Sequence, residues 1–229
     1  MTRPGKRPLA VFDVDGTLVD SRQAIQEIMT VAFEAMGLPG PAYEATRQIV
    51  GLNLKEALDQ LAPELDEAGR AALVAGYKAA FAELHRRPGF VEPLYEGAAE
   101  TLDRLRAEGW AIAMATGKSR RGVETIMRMH GWADLFDSTH CADDGPGKPH
   151  PAMLVEAMRV LGAEPVQTVM IGDTAHDIRM ARAAGVRAQG VGWGFHTVEE
   201  VRASGADAVA LTFAELNTAL DLFAAGVRA

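Results

Sequence analysis

The stretch that decides the fold is Leu9-Ala10-Val11-Phe12-Asp13-Val14-Asp15-Gly16-Thr17, near the start of a chain of 229 residues. An apolar run closed by a glycine predicts a buried strand that ends in a turn. Carboxylates are costly to bury at such a place unless a positive charge compensates them. Asp13 and Asp15 therefore predict a bound cation, and their oxygen ligands favour a hard ion such as Mg²⁺.

The rest of the chain divides into a helical stretch and an alternating stretch. Apolar residues recur every three or four positions from residue 21 to about 87, which predicts consecutive helices. Beyond them, predicted helices alternate with predicted strands at 110–115, 137–140, 168–171, 187–191 and 208–209. This alternation predicts an α/β fold with a doubly wound parallel sheet. We therefore assign 1–19 and 88–229 to a core and 20–87 to a helical insertion.

Composition limits the classes of partner. The formal net charge of −8 argues against a nucleic-acid-binding or acidic-membrane-binding surface. A single cysteine, Cys141, cannot form an intrachain disulfide and is typical of a reducing compartment. Asp13 interrupts the first apolar run too early for a signal peptide, and no segment has the roughly 20 apolar residues of a membrane span. The sequence predicts a cytoplasmic protein without nucleic-acid or membrane partners.

Polar residues suited to a phosphate site follow four of the predicted strands. They are Asp13 and Asp15, Thr116 and Gly117, Lys148, and Asp173 and Asp177. Each alone has an ordinary explanation, because an aspartate can cap a helix and a loop lysine is usually solvated. Ligands of doubly wound sheets bind beyond the carboxyl ends of the strands, so the combination favours one shared site. A hydroxyl and glycine amides at a helix start suit a phosphate.

At these four places the chain resembles the haloacid dehalogenase (HAD) superfamily, in its phosphatase branch with a helical cap, and phosphoglycolate phosphatase-like enzymes in particular. The matching segments, in the family's order, are FDVDGTLVDS (12–21), ATGKS (115–119), GKPHP (147–151) and IGDTAHDI (171–178). The helical insertion has the place of the family's cap, so the resemblance implies a Rossmann-like core with an inserted all-helical cap. One departure is Ala152, where an aspartate often follows the third motif.

The resemblance implies a Mg²⁺-dependent phosphatase that hydrolyses a small organic phosphate monoester, phosphoglycolate being the leading choice. Asp13 would be the nucleophile and form an aspartyl-phosphate, and Asp15 would act as general acid and base. The remaining roles fall to groups of residues. Thr116, Gly117 and Lys148 would bind the phosphoryl oxygens, and Asp13, Asp15 (through its backbone carbonyl), Asp173 and Asp177 would bind Mg²⁺.

Substrate choice is expected to lie in the cap. Arg47, Asn53 and Lys55 surround a predicted loop at 51–52, and we predict that they contact the leaving group. The glycine-rich stretch 190–195 lacks the dinucleotide-binding spacing and is interpreted as a turn with an apolar flap.

Three alternatives stay open: a sugar-phosphate mutase of the same fold, a pyrophosphatase or nucleotide phosphatase, and an inactive binding protein. The motifs fix neither the ester nor the oligomeric state, for which a monomer or homodimer is usual among such relatives.

Overall fold

A computed structural model describes residues 7–228, and six parallel strands form its single sheet. The strands are β1 (Leu9–Phe12), β2 (Ala111–Ala115), β3 (Ser138–His140), β4 (Thr168–Gly172), β5 (Arg187–Val191) and β6 (Ala208–Ala210). Their order across the sheet is β3-β2-β1-β4-β5-β6. The doubly wound α/β fold expected from the alternating pattern is therefore confirmed.

The first strand is central and buried on both faces. Leu9 pairs with Ala111 of β2 on one side and with Thr168 of β4 on the other. A strand covered on both faces needs a continuous apolar run rather than alternation, and all four residues of β1 are buried. The strand order reverses beside β1, which is where doubly wound sheets bind their ligands.

Ten α-helices and two short 3₁₀ turns (Ala142–Asp144 and Pro165–Gln167) complete the described residues. Four helices follow β1: α1 (Arg22–Glu34), α2 (Tyr43–Ile49), α3 (Leu54–Leu61) and α4 (Glu67–Leu84). The others are α5 (Ala98–Ala107), α6 (Arg120–His130), α7 (Ala152–Leu161), α8 (Ala175–Ala184), α9 (Val198–Ala203) and α10 (Phe213–Arg228). Within residues 7–228, no helix has the length and hydropathy needed to cross a lipid bilayer.

Helices cover both faces of the sheet. On one face, α5, α6 and α10 contribute Leu102, Ile126 and Leu216 to an apolar cluster. On the other face, α7 and α8 contribute Leu154 and Ile178 to a second cluster. These two layers shield the sheet from water and leave the carboxyl ends of the strands as the place where polar side chains can gather.

The helices α1 to α4 form a bundle, called the cap below, with an apolar cluster of its own. Met29 and Phe33 of α1 pack in it with Leu58 of α3 and Leu73 of α4, and Phe195 joins it from the core. The cap covers 22–84, inside the predicted insertion at 20–87; the division into core and cap domains stays a prediction.

The two chain segments that join cap and core lie side by side. The backbone N–H of Asp20 donates to the carbonyl of Pro93 at 2.8 Å, and that of Tyr95 donates to Leu18 at 3.0 Å. Val19 and Leu94 form an antiparallel bridge between these hydrogen bonds. The cap therefore leaves and rejoins the core at one place.

Candidate active site

The carboxyl ends of β1, β4 and the loop after β3 bring a lysine and three aspartates together. The Nζ atom of Lys148 lies 2.9 Å from Oδ1 of Asp13 and 2.6 Å from Oδ1 of Asp177. The side chain of Lys148 is fully buried, in contrast to the solvated lysine that a loop usually carries. Burial alone would lower the pKa of Lys148, but the charges of Asp13 and Asp177 outweigh it and raise that pKa, so the ammonium stays charged.

Asp13, Asp173 and Asp177 each offer one oxygen atom to a cluster in which these atoms lie within 4.8 Å of one another. Burial, partly offset by Lys148 and reinforced by Asp177, raises the pKa of Asp13 to about 7. Burial and the nearby carboxylates of Asp177 and Asp13 raise the pKa of Asp173 as well. Oδ1 of Asp13 faces the Lys148 ammonium, and no backbone or hydroxyl group of residues 7–228 donates a hydrogen bond to either of its oxygens. Carboxylates held this close, with oxygen atoms left over, fit a hard divalent cation.

Asp173 is held in place from both sides. Its Oδ1 accepts a hydrogen bond from the Thr17 hydroxyl at 2.8 Å, and its Oδ2 accepts one from the Phe195 backbone N–H at 2.8 Å. A Cβ atom at Gly194 would lie 2.2 Å from Oδ2 of Asp173, so this approach requires a glycine. The Trp193 indole donates to the Thr17 carbonyl at 3.0 Å and ties the same loop to the first motif.

The loop at 193–195 therefore does more than the apolar flap that the sequence predicted. Phe195 is buried against the cap, as a flap residue would be, but its backbone also binds Asp173. The paired glycines were the signal in the sequence, since Gly next to a site often marks a close backbone approach. The group that these glycines approach, the carboxylate of Asp173, could not be predicted from the local sequence.

Asp177 combines the two interpretations that the sequence left open. Its Oδ2 accepts hydrogen bonds from the Thr174 hydroxyl at 2.6 Å and the Thr174 backbone N–H at 3.1 Å, which completes a capping box at the start of α8. Its Oδ1 faces Lys148. The N-terminal capping hydrogen bonds of α8 therefore hold the Asp177 carboxylate so that its Oδ1 points into the site.

Asp15 lies beside two charged groups that the sequence analysis did not assign. The Nζ atom of Lys118 is 2.9 Å from Oδ1 of Asp15 and 3.9 Å from Oε2 of Glu92, and all three side chains are nearly buried. Burial would lower the pKa of Lys118, yet Asp15 and Glu92 raise it. Burial would raise the pKa of Glu92, yet Lys118 and His85 lower it. The group is therefore a charged, buried network around Asp15.

Sequence reasoning missed this network for a physical reason. Lys118 was quoted within the second motif, but nothing local distinguishes it from a solvated lysine. Glu92 follows the break at 88–89 in the segment that rejoins the core, and no pattern surrounds it. Glu92 comes close to the end of β2 because the two segments that join cap and core lie side by side.

The second motif lies directly under the cap. Thr116 is fully buried at the end of β2, and its hydroxyl oxygen accepts a hydrogen bond from the Lys118 backbone N–H at 3.3 Å. A Cβ atom at Gly117 would lie 2.6 Å from the Leu52 carbonyl oxygen and 2.7 Å from that of Gly51. The cap loop therefore touches the segment predicted to bind the phosphoryl group.

The three predicted specificity residues lie in different surroundings. Asn53 and Lys55 line a cavity of about 500 Å³ between cap and core, whose lining also includes Asp13 and Asp15. Asn53 caps α3 by accepting from the Glu56 N–H at 2.9 Å. Lys55 is largely exposed, and its ammonium pairs with Asp59 at 2.8 Å.

Arg47 is not among the residues that line this cavity. Its guanidinium pairs with Glu44 of the cap and with Glu200 of α9, at 2.7 Å for the latter, and donates to the Phe195 carbonyl at 3.3 Å. The prediction that Arg47 contacts the leaving group is not supported by this placement. Arg47 was predicted to contact the leaving group because it is a positively charged residue close to the cap loop in sequence. Its side chain instead points towards Glu200 in the acidic first turn of α9.

Comparison with known proteins agrees with this geometry. The sequence model of the family described as haloacid dehalogenase-like hydrolase matches residues 10–191, so the chain belongs to that family of hydrolases. It is 37% identical over 214 residues to "Probable phosphatase IndB" of Dickeya dadantii, covering 92% of each chain. It is 32% identical over 217 residues to "Phosphoglycolate phosphatase" of Vibrio vulnificus, covering 91% of this chain and 93% of the relative.

Solved structures show the same fold. The crystal structure of a predicted phosphoglycolate phosphatase from Haemophilus somnus superposes with a TM-score of 0.82 at 26% identity. The alignment covers 93% of this chain and 98% of that one. The superposition spans cap and core together, and it confirms the family fold that the four motifs implied.

Proposed function

We propose that this protein is a Mg²⁺-dependent phosphatase that hydrolyses a small organic phosphate monoester. The observation that carries the proposal is Asp13, a buried carboxylate that faces the Lys148 ammonium, receives no backbone or hydroxyl hydrogen bond from the described residues, and lies beside two further carboxylates. A carboxylate held this way is available as a nucleophile, and the lysine can hold the phosphoryl oxygens that it attacks. The relatives named as phosphatases support the same reaction class.

The reaction takes place in two displacements at phosphorus. In the first, an oxygen of Asp13 bonds to phosphorus while the bond from phosphorus to the alcohol oxygen breaks, and Asp15 gives that oxygen a proton. In the second, water attacks the aspartyl-phosphate, Asp15 takes a proton from the water, and the Asp13 carboxylate is released with inorganic phosphate. The proton that Asp15 gave is thereby recovered.

The remaining residues bind charge. Lys148, Thr116 and the Gly117 amide are proposed to bind the phosphoryl oxygens. Mg²⁺ would be held by Asp13, the Asp15 backbone carbonyl, Asp173 and Asp177. When bound, it would offset the repulsion between an anionic carboxylate and an anionic phosphate.

The test is phosphate release from a panel of metabolite monophosphates, with Mg²⁺ and with excess EDTA. Phosphoglycolate is the first ester to assay because it is the leading choice from the resemblance, with sugar phosphates, nucleotides and pyrophosphate beside it. We expect release that requires Mg²⁺. An isomeric sugar phosphate without free phosphate would instead indicate the mutase, and binding without turnover would indicate an inactive binding protein.

Two further expectations stay predictions: a cytoplasmic location and a monomeric or homodimeric state. Size-exclusion chromatography with light scattering measures the second directly.

A further inference from the structure

The cavity between cap and core is mostly apolar where it faces the cap. On α4, Val74, Tyr77 and Phe81 are spaced by three and four residues, so they share one face of the helix, and all three line the cavity. The apolar wall is completed from α1 and the cap loop by Ile25, Met29 and Leu52. An apolar wall beside these carboxylates favours a substrate whose contacting part is apolar too.

The cationic residues of the cavity point to the same conclusion. Four line it, and three of them are exposed to solvent: Lys55, Lys78 and Arg121. The fourth, Lys118, is 9% exposed, but it is paired with Asp15 and lies 3.9 Å from Glu92. Among the cavity-lining residues of the described chain, no enclosed cation is therefore free to neutralise a second anionic group on a substrate.

A small anionic leaving group would meet an unfavourable environment here. The carboxylate of phosphoglycolate lies one carbon from the ester oxygen, so it would be enclosed close to Asp15 and Glu92, where the neighbouring cation, Lys118, is already paired with Asp15. Burying a charge without a partner is unfavourable or shifts its ionisation, and like charges nearby add to that cost.

The volume of the cavity is also larger than a two-carbon alcohol needs. About 500 Å³ lies within the range of roughly 300–1,000 Å³ typical of sites for drug-sized ligands. The phosphoryl group would occupy only the part beside Asp13. The remaining space is bounded by the apolar wall and by Tyr77, whose pKa burial raises, so its hydroxyl stays protonated as a donor.

We propose that the preferred substrate is the phosphate monoester of an uncharged alcohol with an apolar body about the size of a ring, packed against Val74, Tyr77 and Phe81. This inference rests on the proposed function, because it concerns the leaving group of that same reaction. It replaces phosphoglycolate as the expected substrate with a larger and uncharged one.

Three esters of primary alcohols separate charge from size: ethyl phosphate, phosphoglycolate and benzyl phosphate. We expect kcat/KM with Mg²⁺ to be about tenfold or more higher for benzyl phosphate than for ethyl phosphate, and lowest for phosphoglycolate. Phosphoglycolate as the best of the three would overturn this inference while leaving the phosphatase proposal intact. Equal values for ethyl and benzyl phosphate would also overturn it. Absent release from every ester, the metabolite panel included, would contradict the phosphatase function itself, and release that does not need Mg²⁺ would contradict its metal dependence.

The second test of this inference places a positive charge in the apolar wall. Val74→Lys should raise the ratio of kcat/KM for phosphoglycolate over benzyl phosphate by about tenfold, because it adds the missing cation. Val31→Lys is the matched control, since Val31 lies on the exposed side of α1 and does not line the cavity. If Val74→Lys fails to fold, Val74→Ala should lower kcat/KM for benzyl phosphate only. An unchanged ratio in a folded Val74 variant would contradict the inference.

Discussion

The pKa of Asp13, the proposed nucleophile, is set by the groups that surround its side chain. That side chain is buried, two other carboxylates crowd it, and a single lysine compensates it. That combination keeps its pKa at about 7, whereas an exposed aspartate would titrate near 4. A cation bound beside Asp13 would favour its charged form, so the proposed nucleophile and a proposed metal ligand are the same group.

Asp13→Asn should lose phosphatase activity by a factor of about 10⁴ or more, because the amide is a poor nucleophile at phosphorus. Since it also removes a buried charge next to two others, the fold should persist with an unchanged or higher Tm. The measurements are kcat with the best ester and thermal unfolding, with Asp134→Asn on the surface as control. Near-normal turnover in Asp13→Asn would show that another residue is the nucleophile.

Gly194→Ala tests the positioning of Asp173. The added methyl group would collide with the carboxylate of Asp173, so we expect a higher Mg²⁺ concentration for half-maximal activity, by about tenfold. Gly226→Ala is the control, because a Cβ at that position of α10 meets no atom within 4 Å. If both variants need the same Mg²⁺ concentration as the wild type, the loop at 193–195 does not set metal affinity.

At the level of single residues, the sequence identified what lies in motifs and missed what meets through space. Asp13, Lys148 and Asp177 follow strands whose ends converge, so strand order alone brings them together. Glu92 has no periodic or motif signal, and the glycine-rich stretch around Gly194 indicates a close approach without its partner, because both roles depend on which side chain lies opposite. Arg47 shows the reverse case. Its positive charge beside the cap loop predicted a contact with the leaving group, but its partner, Glu200, lies 153 residues further along the chain.

Helices and strands were predicted better than contacts because their signals are local. The strand expected at 110–115 is Ala111–Ala115, and the consecutive helices expected from residue 21 to about 87 begin at Arg22 and end at Leu84. Strand β6 had a weak signal and is only Ala208–Ala210, at the edge of the sheet. The placement of the cap over the core could not be read from periodicity, because it depends on the adjacent connections at both ends.

Asn53, at the start of α3, both caps that helix and lines the cavity. Asn53→Ala removes the N-cap of α3 and should lower the free energy of unfolding by about 1 kcal/mol. It should also raise KM, because Asn53 lines the cavity. Asp66→Ala is matched to it: it removes the N-cap of α4 at a comparable cost, but Asp66 does not line the cavity. A KM that changes equally in both variants would remove Asn53 from the substrate-binding residues.

On the scale of the whole molecule, Arg47 and Glu200 connect cap and core. Hydrogen bonds from Arg47 lower the pKa of Glu200 to about 2 from an ordinary value near 4.5. A carboxylate with a lowered pKa stabilises the fold above its ordinary pKa, and that contribution is lost as the pH falls through about 4.5 towards 2. Because Glu200 is one-third exposed, solvent screens part of this effect.

We therefore expect Arg47→Gln to lower Tm at pH 7 and to leave KM nearly unchanged. The difference in Tm from wild type should stay constant between pH 7 and 5 and shrink as the pH approaches 3.5. Arg159→Gln serves as control, since Arg159 pairs with Glu156 on the surface of α7 and should change Tm little at any pH. A Tm difference that is independent of pH would contradict the assigned ion pair.

The side-by-side connections at Asp20 and Pro93 have a consequence for how such a protein can change. Because both ends of the cap leave the core at neighbouring backbone positions, a different helical segment can be exchanged into this point without altering the path of any strand. The proposed nucleophile and the proposed phosphoryl-binding residues lie outside the exchanged segment. Evolution can thus conserve the chemistry while the alcohol that is recognised changes, and a chimera that keeps 1–19 and 88–229, and with them Glu92 beside Lys118, is the natural starting point for retargeting the enzyme.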